Sequence, residues 1–164
     1  MSRRLVLPLF LLLAVMLLPT AGITSSLDLS KALVIGKGPK TVIEFTDPDC
    51  PFCRKAARYF ETRNDVTKYV FFLPLARHRD AKNKIQHILS QTDGATAYYE
   101  AMSGKLDNPV TRKLQITSRG IRLQEQHQDI AKNAGAQATP TFMISGRIIE
   151  GFDRAEIEAL LGKQ

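Results

Sequence analysis

The sequence has only two cysteines in 164 residues, Cys50 and Cys53, and three histidines, His78, His87 and His127. Two cysteines cannot staple a disulfide-dense mini-protein. One cysteine pair with three separated histidines is also a poor supply for a structural zinc site, which takes four ligands. No long block of like charges occurs, although Lys and Arg outnumber Asp and Glu by 23 to 16. Such scatter describes a solvated surface and argues against a nucleic-acid partner. Internal repeats and low-complexity tracts are missing as well, which leaves out solenoids and disordered linkers.

What is present begins with an N-terminus of a different character from the rest. Arg3 and Arg4 precede an unbroken apolar run, Leu5 to Leu18, and the small residues of Pro19-Thr-Ala-Gly follow. That is the layout of a secretory signal peptide over residues 1–22, cleaved near Ala21, Gly22 or Ser26; an uncleaved N-terminal anchor is the alternative. No cysteine follows the run, so a cysteine-linked lipid anchor is not available. Either way the folded part is expected outside the cytoplasm, where disulfides persist. Removal of Arg3 and Arg4 lowers the formal charge from +7 to +5. With 44% hydrophobic and 24% charged residues, the remainder has the composition of one ordinary globular domain.

Residues 23–40 read as a lead-in, with a short strand at Leu33-Val-Ile and a turn at Gly36-Lys-Gly-Pro. The domain proper then runs from 41 to 164. Thr41 to Phe45 is apolar and β-branched, the pattern of a central strand. A helix follows from Pro51, with Cys53, Ala56, Ala57 and Phe60 on one face, and it stops near Asn64-Asp65. Lys68 to Leu73 is the next strand, so the pair is parallel with a right-handed crossover. Residues 80–134 carry helical stripes: Ile85, Ile88 and Leu89; Ala95, Tyr98, Tyr99 and Met102; Leu123, His127, Ile130 and Ala134. Gly135 suits the cap of the last of these helices. Thr141-Phe-Met-Ile and Arg147-Ile-Ile-Glu form a hairpin across Ser145-Gly146, and Asp153 with Glu156 starts a final helix. The order β-α-β, helical insertion, β-β-α gives an α/β fold with a mixed sheet.

A strand that delivers Cys-x-x-Cys to the first turn of a helix carries redox chemistry. Cys50 stands at the helix tip, where unpaired amides and the macrodipole favour a thiolate. It is expected to be ionised, accessible, and the attacking sulfur. Cys53 lies one turn on and inward, placed to resolve a mixed disulfide. Pro51 and Phe52 between them supply no charge. A plain structural disulfide is the bland alternative, but a loop this short contributes only about 2 kcal/mol on chain entropy. Glu44, inside an apolar strand, is a candidate proton exchanger for Cys53, through water; the plain alternatives are that it reaches the surface or pairs with a lysine. His127 falls on an apolar stripe and reads as a core histidine. His78 reads as a loop residue.

Phe-Thr-Asp-Pro-Asp-Cys-Pro-Phe-Cys, Ala-Thr-Pro-Thr-Phe, Gly151-Phe-Asp and Ala97-Tyr-Tyr-Glu-Ala-Met-Ser-Gly-Lys105 together resemble the catalytic domain of the DsbC/DsbG group of bacterial periplasmic thiol–disulfide oxidoreductases. The resemblance spans about Lys31 to Leu161. It implies a thioredoxin-like fold, Cys50 as nucleophile, Cys53 as resolving thiol, Pro140 as a cis-proline facing them, and Thr139 offering backbone groups to a client strand. It also implies cysteine-containing client proteins, a membrane thiol-redox partner, and no bound cofactor or metal. The group's preceding dimerisation domain has no counterpart ahead of the lead-in, so a monomer is expected, and the second cysteine pair of some members is missing. Glu44 stands where thioredoxin and DsbA carry a buried acid, unlike DsbC. The expected activity is disulfide isomerase or reductase work in the periplasm. A DsbA-like oxidase, a metal-delivery module using the cysteine pair and a non-catalytic binding module are the rivals.

Overall fold

The computed structural model describes residues 27–163. The signal-peptide and anchor readings, on residues 1–22, lie outside the described residues. One five-stranded mixed sheet organises the chain, built from β1 (Leu33–Ile35), β2 (Lys40–Thr46), β3 (Val66–Phe72), β4 (Thr141–Ile144) and β5 (Arg147–Glu150) in the order β1-β3-β2-β4-β5. Its helices are α1 (Pro51–Glu61), α2 (Ala81–Ser90), α3 (Gly94–Met102), α4 (Ser118–Asn133) and α5 (Arg154–Leu161). This is the thioredoxin-like arrangement expected from the sequence, with α2, α3 and α4 as the helical insertion.

β2 is the middle strand because its apolar, β-branched residues are closed to water on both faces. It runs parallel to β3, Glu44 opposite Val70, with α1 as the crossover. On its other side it runs antiparallel to β4, Glu44 opposite Phe142. Ser145 (φ 50°) and Gly146 (φ 79°) take the two left-handed positions that a tight hairpin between β4 and β5 demands. The lead-in strand β1 pairs antiparallel with β3 and so forms one edge of the same sheet.

Alternation along β2 decides what surrounds the cysteines. Val42 packs with Ala56 and Phe60 of α1 and with Phe142 and Ile157, whereas Phe45 packs with Phe71 and with Ala131 of α4 on the opposite face. With a period of two, Glu44 and Thr46 share the face of Val42, under α1. Above them Cys53 and Ala57 of α1 join Val70, Phe72, Ile85 and Tyr98.

α4 departs from its expected face. It buries Gly120, Gln124, His127 and Ala131, keeping His127 of the expected stripe and leaving Leu123, Ile130 and Ala134 half-buried. The cause is close contact with α2: a Cβ on Gly120 would stand 2.1 Å from Ser90 Oγ. Gln86 Nε2 of α2 donates to Gln124 Oε1 at 3.1 Å, so the buried amides satisfy each other. α1 also ends at Glu61, before the Asn64-Asp65 stop read from the sequence.

Candidate redox site

α1 begins directly after Cys50. That residue is the extended N-cap (φ −79°, ψ 123°), Pro51 fills the first turn where no amide is needed, and the Cys50 N–H donates to the Asp47 carbonyl at 3.1 Å. Cys53 follows one turn later on the inward stripe. Both are free thiols. The Thr139–Pro140 bond at the start of β4 is cis, as the resemblance implies, and Cys50 Sγ lies 3.3 Å from the Thr139 carbonyl oxygen. The fold thus brings Cys50, Cys53, Thr139 and Pro140 together from opposite ends of the domain.

The two thiols are held at opposite ends of the ionisation scale. The Cys53 thiol hydrogen-bonds to Cys50 and, with help from the Cys53 and Phe52 amides and the Thr139 side chain, lowers the Cys50 pKa to about 5 against the cost of burial. Those amides are the first-turn donors left unpaired in any helix. Burial pushes the Cys53 thiol far up, and the neighbouring Cys50 charge adds to it; the Thr46 side chain and the Asp47 amide work the other way. Accessibility differs from expectation. Cys50 is only 1% exposed, because its extended conformation turns the sulfur toward the loop of Thr139; the exposed members of the motif are Pro51 and Phe52, the latter at 55%.

Glu44 does not reach the surface. Its carboxylate is wholly buried, and Lys68 Nζ of the adjacent β3 donates to Oε2 at 2.6 Å and to the Tyr98 hydroxyl at 2.9 Å. Pairing with a lysine was one of the plain alternatives, and it is the one realised. The Lys68 ammonium also lies 5.1 Å and 4.8 Å from the Phe60 and Tyr98 ring centroids. Glu44 Oε1 has no hydrogen-bond partner among the described residues. Burial, then the charge of Glu44, pushes the Tyr98 phenol up, so it stays neutral.

Outside the cysteines, the turn is braced by charge. Arg54 Nε donates to the Pro48 carbonyl at 2.6 Å, and its guanidinium clasps Asp107 in two bonds of 2.7 and 2.8 Å. Lys84 bridges Asp49 and Asp107. His78 is more than the plain loop residue read from the sequence: its Nδ1 is 2.9 Å from Oδ2 of the buried Asp47. His87 Nδ1 accepts the Gln115 N–H at 2.9 Å. His127 accepts the Phe72 N–H at 3.1 Å, and its Nε2 lies 2.8 Å from the Lys31 carbonyl. No histidine joins the cysteines, and among the described residues no group of three or more His, Cys, Asp or Glu gathers to hold a metal.

Lys68, Tyr98 and Asp47 were missed from the sequence. A signal existed for Lys68: it shares the inward parity of Val66 and Val70 in an otherwise apolar strand. Asp47 had only its place beside the motif, and Tyr98 only its place on a helical stripe.

Comparison with known proteins places these features in context. A thioredoxin-like domain family matches residues 27–164. A probable thiol:disulfide interchange protein DsbC from Bordetella parapertussis is 26% identical over 144 residues, covering 82% of this chain; the chain spans 46% of that relative's length. A disulfide interchange protein from Neisseria gonorrhoeae, known from its crystal structure, superposes with a TM-score of 0.68 at 32% identity, covering 81% of this chain and 94% of that one. A periplasmic thioredoxin-like protein from Salmonella enterica serovar Typhimurium shares the fold, with a TM-score of 0.62 at 16% identity over 80% of this chain and 88% of that one.

Proposed function

The chain belongs to the thioredoxin-like domain family, and from that premise we propose that it is a periplasmic thiol–disulfide oxidoreductase acting on cysteine-containing client proteins. The observation that carries the reading is the unequal pair: a Cys50 thiol lowered to about 5 beside a Cys53 thiol raised by burial. At neutral pH Cys50 is then a thiolate and Cys53 holds its proton.

The reaction follows from that inequality. Cys50 Sγ⁻ attacks one sulfur of a client disulfide; the client's other sulfur leaves as a thiolate and takes a proton from water. In the mixed disulfide Cys50 carries no charge, so the part of the Cys53 shift that came from the neighbouring thiolate is gone, while burial remains and a proton acceptor is needed. Cys53 loses its proton and attacks Cys50 Sγ, which expels the second client sulfur as a thiolate. The client gains two electrons and the Cys50–Cys53 pair loses two. Glu44, under α1 on the face of Thr46, takes the Cys53 proton through Tyr98 or water; its unpartnered Oε1 is the free acceptor. Thr139 and Pro140 present the edge against which an extended client segment lies. Only the two thiols are needed, so no cofactor enters.

Isomerase or reductase work requires the pair kept reduced by a thiol-redox partner in the membrane, and the DsbC-named relative supports that direction. The lowered Cys50 pKa favours a second reading, oxidase work, because stabilising the thiolate stabilises the reduced form and makes the pair more oxidising. Alkylation of the resting protein in cells separates them: a dithiol supports isomerase or reductase work, and a disulfide supports the oxidase. The signal-peptide layout of residues 1–22 and the periplasmic Salmonella neighbour support export. No helix among the described residues is long and apolar enough to cross a membrane.

The test of the chemistry is a Cys53→Ala trap. It should accumulate a mixed disulfide between Cys50 and its clients; a variant that accumulates none contradicts the assignment. Glu44→Gln should slow resolution without slowing the first attack, and equal resolution rates across pH would remove Glu44 from the mechanism.

A further inference from the structure

The loop between β3 and α2 is tied to the redox turn by one carboxylate. Asp47 Oδ1 accepts the Asp49 N–H at 2.7 Å, while Oδ2 accepts the Leu75 N–H at 2.8 Å and faces His78 Nδ1 at 2.9 Å. The carboxylate is wholly buried, so this clasp is dry. It fixes residues 75–78 against the turn that ends in Cys50. Arg77 Nε reaches back to His78 Nε2 at 3.3 Å, which holds its guanidinium beside the clasp. Arg77 and Arg79 are exposed, and neither has an acidic partner within ion-pair distance among the described residues. On the helix side Lys55 Nζ sits 5.3 Å from the ring centroid of the exposed Phe52, and it too has no acidic partner among the described residues.

The acids nearby are already occupied. Asp47 faces His78, Asp49 and Asp107 face Arg54 and Lys84, and Asp80 faces Arg112. Beside the recessed sulfur, the flanking loop carries Arg77, tied to the turn through His78 and Asp47, and Arg79 two residues on, and the flanking helix carries Lys55 and the exposed Phe52. We propose that this rim selects clients whose reactive cysteine is flanked by Asp or Glu, with Arg77 and Arg79 as the reading residues. The proposal rests on Cys50 being the nucleophile. Exposed rim charges act mainly on the encounter rate and are screened by salt, within about 8 Å at physiological ionic strength. Selection should therefore appear in the rate of mixed-disulfide formation and fade as salt is added.

The experiment uses the Cys53→Ala protein and two disulfide-bearing peptides that differ only in Glu or Lys beside the cysteine. Mixed-disulfide formation is followed by mass spectrometry at low and high salt. The acidic peptide should react faster, by roughly tenfold at low salt, and the advantage should collapse at high salt. The double variant Arg77→Glu/Arg79→Glu should invert the order, and Arg77→Gln/Arg79→Gln, which adds no new repulsion, should erase it. Arg122→Glu, on the exposed side of α4, should change nothing. Equal rates for both peptides, or an order that survives the Arg77 and Arg79 changes, overturns the rim proposal while leaving Cys50 in place. Equal rates together with salt-sensitive binding to vesicles containing anionic lipid assign the cations to a membrane surface instead. If neither peptide forms a mixed disulfide, the nucleophile reading fails and the rim falls with it.

Discussion

Two clusters of charge flank α1, one sealed beneath it and one at its rim. Beneath the helix, Lys68 and Glu44 have side chains 2% and 0% exposed and meet at 2.6 Å. At the rim, Arg54, Lys84, Asp49 and Asp107 share charge across several contacts, and Asp107 remains 44% exposed. Water makes the difference. A dry ion pair must repay a desolvation cost of several kcal/mol per ion, and an apolar pair of similar volume is often at least as stable. The rim network is only partly dry: Lys84 is buried, but it meets two carboxylates, Asp107 reaches water, and the network braces the turn through the Pro48 carbonyl and Asp49. In the proposed function the sealed pair serves chemistry, beneath the helix that carries the thiol that must lose a proton, and the rim network serves shape.

The sharpest way to break that comparison is to remove one partner from each cluster. Lys68→Met leaves Glu44 buried and uncompensated, and should cost about 3–5 kcal/mol in chemical denaturation. Adding Glu44→Gln to Lys68→Met should recover much of that loss. At the rim, Asp107→Asn should cost no more than about 1 kcal/mol, because water replaces part of what it provides. Similar losses at the two sites would mean that the sealed pair is an ordinary structural contact.

A smaller effect tests a buried group in neither cluster. Burial lowers the His127 pKa to about 4, below the ordinary histidine value of about 6.5. The unfolded chain therefore takes the proton first on acidification. The stability held by neutral His127 is fully present above about pH 6.5 and is lost as pH falls toward 4, by at most about 3 kcal/mol. Denaturant midpoints across that window should fall for the native sequence and fall less for His127→Gln. Equal slopes would show that His127 is not what acid attacks. Smallest of all, Lys105→Ala should leave stability within about 0.5 kcal/mol, since Lys105 is exposed and its partner Glu100 is only half-buried near a helix end.

The contrast between the clusters also explains what could be read in advance. Strands, helices, the hairpin at Ser145-Gly146 and the cysteine pair were legible because each is written in a few consecutive residues. Pro140 was legible through its motif. Lys68 meets Glu44 across 24 residues and Tyr98 across 30, and Asp47 meets His78 across 31. Those contacts are set by strand register and by where α3 and the β3–α2 loop land, which no local pattern records. The face of α4 was misread for a related reason: apolarity pointed to Leu123 and Ile130, but Gly120 and Gln124 are buried because α2 presses there and Gln86 supplies a partner. The recess of Cys50 follows from its N-cap conformation against Thr139, a contact across 89 residues.

The most direct measurement is a pH titration of thiolate absorbance in the reduced protein, beside Cys50→Ser and Cys53→Ala variants. One thiolate should appear with a midpoint near pH 5 in the native sequence and vanish in Cys50→Ser, with no second thiolate forming at neutral pH. The Cys53→Ala midpoint should move upward, because the thiol that donates to Cys50 is gone. A single unshifted titration in the ordinary cysteine range, or a low midpoint that survives in Cys50→Ser, would contradict the unequal pair on which the proposed chemistry depends.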